Sequence, residues 1–308
     1  MPTTRKSAAN RTAMLALAAL GLALWALHAR AWDLGGRSPV LGYDTAQYAL
    51  AARELADHGR LATTFALPLE LARRPAPPWP LAVVQPGLVI AEAAIFRIVP
   101  PDSSAGRAMS PKAASLRERL TLLIPLLCLI AIAIAVAAYG SRVLERHAPA
   151  LGAGERGLAV LTLGLGVLLD PEAQHFATGG FTELPFTLGL VIALGMLLDE
   201  TAPRRPFAFG LLLGATGAFR ATMLWLAPVL AIAAAAIAGR RRTRIVTLTL
   251  AGYALVLAPW WFYKWTSFGS PGWDLSRFVI WEGVEGRSLF SLFHLPEAPA
   301  VPHGLDAA

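Results

Sequence analysis

The chain is predicted to be an all-α, polytopic integral membrane protein of about seven transmembrane helices, each needing about 20 apolar residues to cross. Three observations carry that prediction. Of the 308 residues, 56% are hydrophobic and 15% charged, against roughly 25% charged in a soluble domain. Long apolar runs recur along the chain, and mean hydropathy is +0.53. Short arginine clusters lie between the runs, a pattern that sets membrane topology rather than forming a face for nucleic acid. The net charge of +7 is therefore read as a topology signal, and no nucleic-acid partner is expected.

The first run, 12–32, follows Arg5, Lys6 and Arg11 and is read as the first span. A cleaved signal peptide is the alternative, with Ala29-Arg30-Ala31 as its A-x-A site; both readings place the residues after 33 outside. There LGYDTAQYALAARELADHGRL predicts a surface helix. Asp44 is expected to be its N-cap, with Gln47 at capping-box spacing, and Gly59 its stop. Tyr48 stands one turn beyond Asp44 on the same face. Segment 81–100 is interrupted by Pro86, Gly87, Glu92 and Arg97, so it is read as interfacial or re-entrant. Further spans are expected at 119–140, 158–176 and 184–199, then a hairpin at 207–219 and 221–238, then 245–263. Trp25, Trp32, Trp260 and Trp261 lie near proposed span ends, as aromatic belts do.

Orientation follows from the positive charges. With the N-terminus inside and 81–100 not crossing, the clusters Arg142/Arg146/Arg156, Arg204/Arg205 and Arg240/Arg241/Arg242/Arg244 all fall on the cytoplasmic side. A crossing at 81–100 would place the last cluster outside. The chain thus divides into a cytoplasmic N-terminus (1–11), a transmembrane domain (12–272) containing a first extracytoplasmic loop (33–118) with juxtamembrane helices, and a partly disordered extracytoplasmic tail (273–308). Cys128 is the sole cysteine, which rules out an internal disulfide.

This topology gathers polar residues at outer helix ends: Asp44, Tyr48, Gln85, Asp170, Glu172, His175, Glu183 and Arg220. Each has an ordinary structural reading. Glu183 beside Pro185 suits the first turn of a helix, and Arg220 can snorkel from a span end. Ionisable groups at membrane depth, however, usually meet a partner or ligand. His175 has no second histidine at ligand spacing. Gly210, Gly214 and Gly217 read as a close helix-packing face. The sequence holds no P-loop, dinucleotide fingerprint, HExxH or GxSxG, so nucleotide chemistry of the soluble kind has no support.

The ordered set YDTAQYALAAREL, GRL, QPGL, TELPF, GLLLGATGAFR and APWWFYKWTSFGSP resembles the GT-C membrane glycosyltransferases. It is most similar to the bacterial branch related to protein mannosyltransferases and the lipid A aminoarabinose transferase. The similarity covers roughly residues 12 to 272. It implies transfer of a sugar from a polyprenyl-phosphate donor to a lipid, glycan or protein acceptor, on the extracytoplasmic face of the bacterial inner membrane. It also implies roles: Asp44 as catalytic carboxylate, Glu183 as its acidic partner, and Arg220 on the donor phosphate. Tyr43, Tyr48 and Gln85 would stand beside the donor. Segment 81–100 resembles the family's juxtamembrane helix.

The chemistry suits these residue types. A carboxylate can take the proton of an acceptor hydroxyl through an oxocarbenium-like transition state. Arginine stays charged and binds a leaving phosphate bidentately. Inversion at the anomeric carbon is implied by the family. No cofactor is expected, and a divalent metal stays open. Many members carry a second acid where Asp44 is followed here by Thr45, and some carry lysine in place of Gln85. The chain is also expected to be short at its C-terminus against the family. Two alternatives remain: a lipid-linked-sugar carrier or flippase, which calls for polar residues inside several spans and repeat symmetry, and an inactive truncated membrane subunit.

Overall fold

A computed structural model describes residues 15–27, 43–64, 76–81, 84–99, 116–239 and 241–272. The basic N-terminus, the A-x-A site, Trp32, Arg240, the stretch from 100 to 115 and the tail from 273 lie outside the described residues.

The described chain is almost entirely helical, as an all-α fold requires. Helix α1 spans Leu15–Leu27 and α2 Tyr43–His58; a two-residue pairing of β1 (Ala62–Thr63) with β2 (Trp79–Pro80) follows. Then come α3 (Pro86–Ile98), α4 (Leu116–Thr121), α5 (Leu123–His147), α6 (Ala153–Leu168), α7 (Pro171–Gly179) and α8 (Glu183–Leu198). The series ends with α9 (Thr201–Arg204), α10 (Pro206–Gly217), α11 (Met223–Ala238) and α12 (Arg242–Phe268). Among the described residues, two helical runs are long and apolar enough to cross a membrane: Arg119–His147, with 29 residues, and Arg242–Phe268, with 27. Helices α1, α8, α10 and α11 are apolar but shorter. A helix of 16 residues such as α8 rises about 24 Å, against a hydrocarbon core of about 30 Å.

Several sequence boundaries change, among them the span expected at 119–140, which runs on to His147. The run expected at 158–176 is two helices, because Pro171 cannot donate to α6 and Asp170 caps a new start, accepting from the Ala173 N–H at 2.8 Å. Helix α2 already includes Tyr43, so Asp44 lies in its first turn rather than at the N-cap. A carboxylate there still complements the positive helix end. The last span runs on to Phe268 instead of ending at 263. Gly59 meets its expectation: its φ is +68° and its N–H donates to the Leu55 carbonyl at 3.1 Å.

The chain divides into two compact units, Met1–Thr45 with Val99–Leu257 and Ala46–Ile98 with Ala258–Ala308. In the first, α5 is the central helix, packed on α6 and α8. Leu17 of α1 joins Leu126, Leu129, Ala133 and Leu168 in its core and lies where a side chain on Gly164 would stand. Helix α11 buries Ala227, Ala231, Ala234 and Ala235 while exposing Leu224, Trp225, Val229 and Ile232. Small residues inward and large apolar ones outward is the arrangement of helices that meet lipid. Gly210 and Gly214 lie against the α12 backbone at Thr249 and Tyr253, and Gly252 against α10. The glycines therefore form the helix-packing face their spacing predicts.

The second unit is built around α3. Leu88, Val89, Ala93 and Phe96 are its buried face. Tyr263 closes it on the strands, donating its hydroxyl hydrogen to the Leu61 carbonyl while accepting from the Leu81 N–H at 2.7 Å. Arg97 reaches back to the Leu55 carbonyl at 3.3 Å.

Candidate functional site

Within the first unit the helices alternate in direction, and their ends collect different chemistry. One end holds the starts of α2, α5 and α8 and the turn between α10 and α11. One glycine makes it possible. Gly180 caps α7 at φ +72°, a conformation that suits glycine. A Cβ on it would stand 2.7 Å from Thr45 Cγ2. That space admits Thr45, which is 1% exposed, and its hydroxyl donates to the Gly179 carbonyl at 2.6 Å. The first turn of α2 is thereby pinned to the segment that opens α8.

Asp44, the residue before this anchor, is exposed, and its carboxylate has no hydrogen bond or ion pair among the described residues. Glu183 is the first residue of α8, four positions beyond Gly179. Its Oε1 accepts from Arg220 Nη1. The side chains of Arg220 and Glu183 are 38% and 29% exposed, so the pair borders solvent without being immersed in it. Arg220 sits in the turn after α10, and its carbonyl accepts the Met223 N–H at 3.2 Å as α11 begins. Of the five guanidinium N–H groups, Glu183 engages one nitrogen. Glu183 Oε2 is buried and lacks a hydrogen-bond partner.

Three of the expected site residues, Asp44, Glu183 and Arg220, thus share one end of the first unit. Tyr43 opens α2, beside Asp44 in sequence. Tyr48 and Gln85 belong to the second unit: Tyr48 is buried there, and Gln85 immediately precedes α3. His175 packs with tilted rings against Phe176 and Phe181, ring centroids 5.9 and 5.6 Å away, an aromatic packing role. Among the described residues, no group of three or more His, Cys, Asp or Glu side chains is placed to hold a metal ion.

Two residues carry weight that the sequence did not show. Thr45 stands where a second acid was the family expectation, and its hydroxyl does the anchoring. Glu92 counted only as an interruption of an apolar segment, yet it is 1% exposed in the second unit and both carboxyl oxygens lack partners. Burial without a compensating charge holds its carboxyl well above the usual carboxylate range. Its spacing from Leu88, Val89 and Phe96 on one helical face is the signal that could have revealed this.

No protein-family model, curated protein or solved structure matches the chain.

The opposite end of the first unit is arginine-rich. Arg142 pairs with Asp199 and lies over the Tyr139 ring at 5.3 Å. Arg146 reaches Asp199 at 3.6 Å and Arg156 reaches Glu145 at 3.8 Å. Helix α8, 16 residues long and starting at Glu183, spans the distance to the Asp199 pairs, about 24 Å along its axis.

Proposed function

We propose that the protein is a membrane glycosyltransferase of GT-C type, moving a sugar from a polyprenyl-phosphate donor to a lipid, glycan or protein acceptor. The observation that supports it most is the Glu183 and Arg220 pair, set at the same helix end as the Thr45 anchor that carries Asp44. The seven-crossing topology, the bacterial inner membrane location and the cytoplasmic N-terminus belong to the same proposal. Arginine clusters at the far end of the first unit support that orientation.

In the proposed reaction the Asp44 carboxylate accepts the proton of the acceptor hydroxyl. The hydroxyl oxygen forms the new bond to the anomeric carbon, and the bond from that carbon to the donor phosphate oxygen breaks. The phosphate leaves with the electron pair, and the anomeric configuration inverts. Arg220 holds the leaving phosphate through the guanidinium N–H groups Glu183 does not use. Glu183 acts here as a positioning residue for Arg220 rather than as a second base.

The test is sugar transfer in membranes containing Asp44→Asn or the native chain, supplied with polyprenyl-phosphate sugar. Loss of at least about a hundredfold in rate is expected for removal of a general base; undiminished transfer removes Asp44 from the mechanism. A carrier would instead bind polyprenyl phosphate through Arg220 and yield no glycosylated product with any acceptor.

A further inference from the structure

The arginine-rich end of the first unit contains a cavity of about 490 Å³ between α9, the end of α11 and the start of α12. Arg204, Arg241 and Arg244 line it, with Glu200 as the one acid. Arg204 is held by Glu200 at 3.5 Å. The guanidinium groups of Arg241 and Arg244 have no ion-pair or hydrogen-bond partner among the described residues. This contrasts with Arg142, Arg146 and Arg156 at the same end, all of which have a protein carboxylate. Cations gathered on adjoining elements repel one another unless an anion lies between them. The cavity also has an apolar wall, formed by Ile237, Ile245 and Leu248. Glu200 and Arg241 are the two non-glycine residues of positive φ among the described residues, at 53° and 56°. Both line this cavity.

We infer that this cavity is a binding site for the phosphate of an anionic phospholipid, with its phosphodiester on Arg241 and Arg244 and its acyl chains leaving along Ile237 and Leu248. A basic pocket between helices, beside apolar surface, suits such a headgroup. A free phosphate ion would use the arginines and leave the apolar wall without a role. The site is separate from the proposed sugar-transfer chemistry at the other end and does not depend on it.

The test uses the purified full chain in detergent, titrated with phosphatidylglycerol and read by native mass spectrometry. The double variant Arg241→Gln/Arg244→Gln is expected to weaken the first bound phosphatidylglycerol at least about tenfold, as loss of charge-assisted bonds does. The matched pair Arg205→Gln/Arg242→Gln removes the same charge outside the cavity lining and is expected to change binding less than about threefold. Equal weakening in both overturns the site in favour of diffuse surface attraction, and unchanged binding in the first overturns it outright. Glu200→Gln removes the competing acid and is expected to tighten binding; weaker binding there counts against the site, independently of how the double variant folds. Displacement of phosphatidylglycerol by equimolar inorganic phosphate overturns the assignment to lipid.

Discussion

The two ends of the first unit treat arginine in opposite ways. At one, Arg220 is half-shielded beside Glu183 and set in the turn between α10 and α11. At the other, Arg142 and Arg146 share Asp199 and are more than half exposed. Solvent screens the second kind of pair, and its contribution to stability is small. A half-shielded cation with unused donors is worth far more to a ligand, because water competes less for it. The same residue type therefore meets solvent at Arg142 and Arg146 and a half-sheltered setting at Arg220.

Substitutions graded by size can break or sharpen this contrast. The largest effect is expected from Arg220→Ala, which should lower sugar transfer at least about a hundredfold, as loss of a phosphate-stabilising donor does. Arg220→Lys should recover part of that by keeping the charge without the fork. Transfer unaffected by either substitution would make the two ends equivalent. Gly180→Ala is expected to destabilise the first unit by about 1–3 kcal/mol, from its φ of +72° and the crowding of Thr45. Denaturant unfolding in micelles measures it, and an unchanged midpoint would remove the anchor from the site's construction.

Glu92, in the second unit, is expected to give a pH slope. An unfolded chain releases this proton near the ordinary 4.5, while burial keeps it on the folded carboxyl. The folded state then binds more protons, so stability falls as pH rises from about 4.5 towards the raised folded value. Glu92→Gln should flatten that fall, and equal slopes in the two proteins would show that the side chain is hydrated. The smallest effect is expected from Arg142→Ala, below about 1 kcal/mol in thermal or denaturant unfolding.

Much of the helix order was legible because apolar runs and arginine clusters are local signals. Helices α8, α10 and α11 begin within a residue or two of where hydropathy places them. The break at Asp170 and Pro171 was written in the sequence too, but continuous hydropathy on both sides masked it. The site was legible only as residues, not as an arrangement. Glu183 and Arg220 could be singled out as charges at helix ends, whereas their pairing depends on how α8 and α10 pack. The Thr45 bond to Gly179 spans 134 positions, and neither residue type announces it. Glu92 reads in the sequence only as an interruption of an apolar segment, while its place on a buried helical face makes it part of a core.

The Tyr263 hydroxyl, which bridges Leu61 and Leu81, sets a timetable for biosynthesis. The strands and α3 leave the ribosome early, but the side chain that closes them arrives only after residues 99 to 257 have been made. At ordinary elongation rates that interval is roughly 10–30 s. Through it, the carboxyl of Glu92 awaits the completed unit, and the nascent chain must keep the face of α3 away from other partners.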